Sequence, residues 1–140
     1  MVNLSFLLDT NIISEPFKLQ PSPIVVEKLQ QASKTSAISS VTWHELLYGL
    51  HRFPTSKRKK QLETYLFETI RPNLPIIPYD ETAAEWFAVE RARLSTLGQA
   101  PSYADGQIAA IAQVNNLILV TRNLKDYRTF TALNLENWFE

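Results

Sequence analysis

The 140-residue chain has no cysteine, which excludes disulfides and thiolate metal sites. Imidazole is nearly as scarce, with only His44 and His51. They lie two helical turns apart, about 10 Å along a helix axis, too far to share one metal ion, and they read as surface or packing residues. No apolar run approaches the roughly 18 residues that a membrane helix needs. The opening Met1-Val2-Asn3-Leu4 lacks a basic region, and Asp9 interrupts the apolar stretch that follows, unlike a signal peptide. The expectation is a cytoplasmic protein with no membrane contact. Net charge is missing too: 14 Lys plus Arg balance 14 Asp plus Glu, so no global field draws in a polyanion. Affinity for nucleic acid would have to come from a local cluster, and Ser56-Lys57-Arg58-Lys59-Lys60 is one. The same run also suits the solvated face of a helix.

What is present is an ordinary globular composition, 45% hydrophobic and 20% charged, at a length suited to one domain over residues 1–140. No repeat, low-complexity tract or Gly/Ser linker divides it. Short apolar runs alternate with longer helical patterns. Strands are expected at Ser5–Leu8, Ser36–Ser39 and Leu117–Thr121. A short piece is expected within Leu74–Tyr79, where Pro75 and Pro78 restrict pairing, and another at Leu133–Leu135. Helices are expected at Ile12–Phe17, Pro23–Gln31, Thr42–Phe53, Ser56–Ile70, Asp80–Leu97 (capped by Asp80 and ended by Gly98) and Ser102–Asn115. Strands joined by crossover helices imply an α/β fold, a three-layer α/β/α sandwich around a central parallel sheet.

In open parallel sheets, ligands bind beyond the carboxyl ends of the strands. Asp9 follows the first strand, and Glu45 lies in the first turn of the helix after the second. Asp105 opens the helix before the Leu117 strand. Thr121-Arg122-Asn123, with Asp126 close behind, follows that strand. Each has a structural explanation of its own. Asp9 can end a strand in an Asx-turn. Thr42-Trp43-His44-Glu45 matches a capping box, and Ser102-Tyr103-Ala104-Asp105 nearly does. As a set, carboxylates at one sheet edge match the hard oxygen donors that Mg²⁺ prefers.

The same residues resemble a known family. Phe6-Leu7-Leu8-Asp9-Thr10-Asn11-Ile12-Ile13-Ser14 is similar to the opening motif of PIN-domain nucleases, and Trp43-His44-Glu45-Leu46-Leu47-Tyr48-Gly49 to their second. The stretch from Ala104-Asp105-Gly106 to Ala112 resembles the third motif, and Leu119-Val120-Thr121-Arg122-Asn123-Leu124-Lys125-Asp126-Tyr127 the fourth. Their order and spacing cover nearly the whole chain. Within that family, size and opening motif are most similar to the VapC toxins of type II toxin–antitoxin modules.

The resemblance implies a PIN-like fold and an endoribonuclease that depends on Mg²⁺ or Mn²⁺. It also implies inhibition by a cognate VapB-type antitoxin, a homodimer that assembles with that antitoxin, and contact with DNA only through it. Asp9 and Asp105 would ligate metal, with Glu45 orienting a metal-bound water or binding a second ion. The fourth motif offers Asn123 and Asp126 to complete the site. Products with a 5′-phosphate and a 3′-hydroxyl are implied as well. Two other functions fit the same sheet: a Mg²⁺-dependent phosphomonoesterase using Asp9, and a catalytically inactive PIN-like interaction module. Against the first stands Asn11, where such phosphatases carry a second aspartate. Trp43, Tyr48, Phe53, Tyr65 and Phe67 read mainly as core. The Thr42–Ile70 helix pair looks apolar on more than one side, a shape suited to an antitoxin helix.

Overall fold

The three central strands are short and largely buried, and each leads into a helix or a helical turn. The structure is a computed structural model that describes residues 3–140. Strands β1 (Phe6–Leu8), β2 (Ser36–Ser39), β3 (Ile76–Ile77), β4 (Ile118–Val120) and β5 (Leu135–Glu136) form one parallel sheet in the order β3-β2-β1-β4-β5. Phe6 pairs with Ser36 on one side and Ile118 on the other, which puts β1 in the middle.

Alternation along these strands feeds two cores. Leu7, Ala37 and Leu119 face Phe87, Ile108 and Ile111 of helices α6 (Glu81–Thr96) and α7 (Tyr103–Val114). Leu8, Ile38 and Val120 face the opposite layer. That layer comprises α1 (Thr10–Ile13), α2 (Pro23–Gln31), α3 (Ser40–Arg52) and α4 (Lys57–Thr64). Both faces of the sheet are therefore covered, as a parallel sheet requires, and the expected three-layer α/β/α arrangement is the one observed.

Local chemistry explains most element boundaries. Asp80 caps α6 by accepting from Ala83 N at 3.0 Å. Gly98, at φ +71°, ends it, and the Gln99 N–H returns to the Leu94 carbonyl. Elsewhere the boundaries differ from the sequence expectation. The helix expected over Ile12–Phe17 is instead the single turn α1 followed by a 3₁₀ turn at Glu15–Phe17, where Pro16 interrupts the pattern. The helix that begins at α4 runs on through a π turn at Tyr65–Ile70 to α5 (Arg71–Asn73). The widening precedes Pro72, whose ring would crowd the Glu68 carbonyl in a regular α-helix. The last strand pairs at Leu135–Glu136, two residues later than expected at its start. Among the described residues no helix is long and apolar enough to cross a membrane.

One close approach sets the position of Asp105. Helices α6 and α7 pack at Gly106, where a Cβ would lie 1.9 Å from the Phe87 ring. Only a glycine beside Asp105 lets α7 sit this close to its neighbour.

Candidate active site

Chain order reverses at the middle of the sheet: β1 leads to β2 and β3 on one side, and β4 and β5 lie on the other. The crevice between the carboxyl ends of β1 and β4 is thus the topological switch point, where such sheets bind ligands. Asp9 and Thr121 stand at these two ends. The Asp9 N–H donates to the Val120 carbonyl at 2.9 Å, extending the ladder by one residue and fixing the Asp9 backbone to β4.

Asp9 caps α1. Its Oδ1 accepts from the Thr10 N–H at 2.8 Å, and its Oδ2 accepts from the Thr121 hydroxyl at 2.9 Å and the Tyr127 hydroxyl at 3.3 Å. The carboxylate is buried, 6% exposed. Asp105 enters from the first turn of α7, whose N-cap Ser102 accepts from the Asp105 N–H at 3.1 Å. The Tyr127 hydroxyl reaches Asp105 Oδ1 at 3.1 Å, so one phenol touches both aspartates.

Glu45 comes from α3. Ser39, not Thr42, caps this helix, and the helix starts at Ser40. Glu45 therefore lies in the second turn, and the capping-box explanation does not hold. Instead its Oε1 accepts from the Thr10 hydroxyl at 2.7 Å. Thr10 has one hydroxyl proton, and a carboxylate can only accept. The Thr42 hydroxyl, 3.4 Å from Thr10 Oγ1, is consequently the donor in that second contact. Thr10 thus serves two carboxylates, Asp9 through its backbone and Glu45 through its side chain.

The electrostatics follow from this packing. Burial raises the Asp9 pKa above its ordinary value. The Thr10 N–H and Thr121 hydroxyl act against that shift, and the charges of Glu45 and Asp105 add to it. Burial, together with Asp9 and Asp105, also pushes the Tyr127 hydroxyl far up, so it keeps its proton. Among the described residues the ion pairs are Lys18–Glu15 and Arg93–Glu90, and neither involves this cluster. Asp9, which Glu45 and Asp105 both repel, and those two carboxylates accordingly have hydroxyls and one backbone N–H as partners but, among the described residues, no cationic side chain.

This all-oxygen donor set fits a hydrated divalent cation. Among the described residues no three Asp, Glu, His or Cys side chains stand close enough together to hold a metal ion as they are. Mg²⁺ does not need three, since it keeps several waters and takes only one or two carboxylates directly.

Asn123 and Asp126 are exposed, just before and at the end of the 3₁₀ turn Leu124–Asp126, and neither side chain hydrogen-bonds to Asp9, Glu45 or Asp105. The contribution of this segment comes from Thr121 and Tyr127. The Asn123 N–H donates to Thr121 Oγ1 at 3.1 Å, and Asn11 Oδ1 accepts from the Arg122 N–H at 3.1 Å, tying the first and fourth motifs together. His44 and His51 are exposed, with His44 stacked on Tyr48. Two further buried carboxylates are structural. Glu15 accepts from the Ser22 N–H, and Glu90 from the Thr131 N–H.

The PIN domain family profile matches residues 6–129. Over 135 residues the chain is 34% identical to Ribonuclease VapC2 of Haemophilus influenzae, covering 96% of this chain and 98% of that protein. It belongs to the VapC family of PIN-domain ribonucleases. Solved structures of the family agree with its fold. FitAcB from Neisseria gonorrhoeae superposes with a TM-score of 0.89 at 33% identity, covering 96% of this chain and 99% of that one. VapBC2 from Rickettsia felis, bound to a DNA fragment from its promoter, superposes at 0.82 with 30% identity, covering 96% and 99%. The matched span contains Asp9, Glu45 and Asp105 and ends just beyond Tyr127.

Proposed function

We propose that this VapC-family chain is a Mg²⁺-dependent endoribonuclease, the toxin of a toxin–antitoxin pair, with Asp9, Glu45 and Asp105 forming its metal site. The observation that carries this reading is the buried Asp9 carboxylate at the β1/β4 crevice, which feels the charges of both Glu45 and Asp105 and, among the described residues, has no cationic partner. Asp9 and Asp105 would hold Mg²⁺, or Mn²⁺ in its place, and Glu45 would hold a water in the same site. The ion, when bound, supplies charge to the scissile phosphate and lowers the pKa of water.

The chain's own residues have definable tasks. Thr10 and Thr121 hold the two oxygens of Asp9 in place. Glu45, steadied by Thr10 through one oxygen, keeps its other oxygen free to orient the attacking water and accept its proton. Among the described residues no serine or histidine side chain hydrogen-bonds to the three carboxylates. By resemblance to the family, water is the nucleophile and the products carry a 5′-phosphate and a 3′-hydroxyl. Asn123 and Asp126, beside Thr121 and Tyr127 in the fourth motif, complete the site.

Relatives solved as toxin–antitoxin complexes and the chain's own surface support an antitoxin partner. A cleft of about 530 Å³ between α2 and the π turn is lined by Leu8, Ile13, Val26, Leu29, Tyr65 and Ile70. It offers an apolar seat for a helix of a VapB-type antitoxin, in a hetero-oligomer built on a toxin homodimer. DNA is reached through the antitoxin alone, and residues 1–140 act as one domain.

End-labelled single-stranded RNA tests the reading. The expected result is internal cleavage in Mg²⁺, none in EDTA, recovery on adding Mn²⁺ and inhibition by the cognate antitoxin. Equal cleavage with and without EDTA would exclude the metal site.

A further inference from the structure

Asp9 and Asp105 are held very differently. Asp9 accepts from the Thr10 N–H and the Thr121 hydroxyl, shares the single Tyr127 hydroxyl proton with Asp105, and is only 6% exposed. Asp105 is half-buried, and among the described residues the one hydrogen bond to its carboxylate comes from the Tyr127 hydroxyl. Helix α7 fixes the Asp105 backbone, but without that hydroxyl no hydrogen bond selects its rotamer. Tyr127 is itself firmly packed. Its ring is 1% exposed, packs against Phe130 at 6.4 Å between centroids, and belongs to the core under α6 and α7.

We infer that the Tyr127 hydroxyl is a tether that sets the Asp105 carboxylate against Asp9, which makes Tyr127 a positioning residue for the acidic site. The inference rests on the proposed metal site for its purpose, but the tether is a property of the metal-free protein. The chemistry of a phenol suits the task. It offers a single proton to two carboxylates, so it orders them without neutralising either. A lysine at this position would order them too, but its charge would displace a cation. A phenylalanine would keep the packing and lose the order. The tether touches one oxygen of Asp105 and leaves its Oδ2 free for a cation or its water. Groups that orient a ligating carboxylate commonly change metal affinity by about 10–100-fold when removed.

The test uses Tyr127→Phe, which retains the buried ring. In metal-free wild-type protein, the side-chain couplings of Asp105 measured by NMR should report one dominant rotamer, and in Tyr127→Phe they should average. The Kd for Mn²⁺, followed by electron paramagnetic resonance, should rise about tenfold. At saturating metal the RNA cleavage rate should return to within about threefold of wild type, since no reacting group has been removed. A merely structural tyrosine would shift the melting temperature and leave the metal Kd unchanged. An unchanged or tighter Kd in the variant would overturn the inference. Averaged Asp105 rotamers in the metal-free wild type would do so as well, whatever the variant shows. Failure of the metal site is distinguishable, because a wild-type protein that binds neither Mg²⁺ nor Mn²⁺ would defeat that proposal while the Asp105 couplings still decide the tether.

Discussion

Replacing Glu45 by glutamine separates catalysis from packing at the position where the two explanations compete most directly. Glu45 is half-buried, and its carboxylate accepts from the Thr10 hydroxyl at 2.7 Å, its one side-chain hydrogen bond among the described residues. Glutamine keeps a carbonyl oxygen in that place, so the bond changes from charge-assisted to neutral. The difference between those two classes is about 1 kcal/mol. Removing the charge also relieves the repulsion that Glu45 exerts on Asp9, which offsets part of that loss. The metal-free variant should therefore melt within a few degrees of wild type, because about 1 kcal/mol moves the Tm of a domain this size by about 4 °C. Cleavage should fall at least about 100-fold, since a neutral amide neither accepts the proton of the attacking water nor adds charge to the site. Initial rates on labelled RNA at saturating Mg²⁺, alongside thermal melting of the same preparations, give both numbers. A variant that cleaves within about threefold of wild type, a barrier change of at most about 0.65 kcal/mol, would show that Glu45 only anchors Thr10.

Gly106→Ala would place a Cβ 1.9 Å from a Phe87 ring that is itself buried. Calorimetric melting should show a loss of about 1–3 kcal/mol or more, together with reduced cleavage as Asp105 is displaced. In the basic run, Arg58 is already stacked over Phe17 at 3.8 Å, so the informative variant changes Lys57, Lys59 and Lys60 to glutamine. In Ca²⁺, which blocks cleavage, the slope of log affinity for RNA against log salt should fall by about 0.7 for each phosphate that the run no longer neutralises. An unchanged slope would assign the run to solvation alone. For Asp9, the folded pKa lies above the unfolded value, so this group's stabilisation is fully present below the unfolded pKa and is lost as pH rises through the folded one. Asp9→Asn should thus be at least as stable as wild type in metal-free buffer at neutral pH. The advantage should vanish when urea titrations are repeated in acid, where Asp9 is protonated.

The sheet and its carboxylates are legible in the chain because they follow from short-range rules. Apolar runs bounded by polar stops mark β1, β2 and β4, and the residue after each run lies by construction at the carboxyl edge. Thr10, Thr121 and Tyr127 give no such signal, because hydroxyls are not charged and Tyr127 reads locally as a packing aromatic. Its role exists only because α7 and the segment after β4 meet in space. The local pattern sets Glu45 one turn too early, since Ser39 and Thr42 are both good N-cap residues and only tertiary packing chooses between them. Asn123 and Asp126 draw attention through their residue types, whereas both side chains are exposed and neither hydrogen-bonds to the cluster. The π turn at Tyr65–Ile70 has no periodic signature of its own, so only the nearby Pro72 hints at a disturbance.

In the proposed site Asp9 and Asp105 hold the cation, Glu45 holds a water beside it, and the cation is required to cut RNA. Calorimetric titration of Mn²⁺ into metal-free wild type and Asp9→Asn, with RNA cleavage assayed on the same samples, tests it most directly. Wild type should bind the ion and cleave. Asp9→Asn should remain folded, bind at least about 100-fold more weakly and show no cleavage above background. An Asp9→Asn protein that binds Mn²⁺ and cleaves RNA as wild type does would contradict the account.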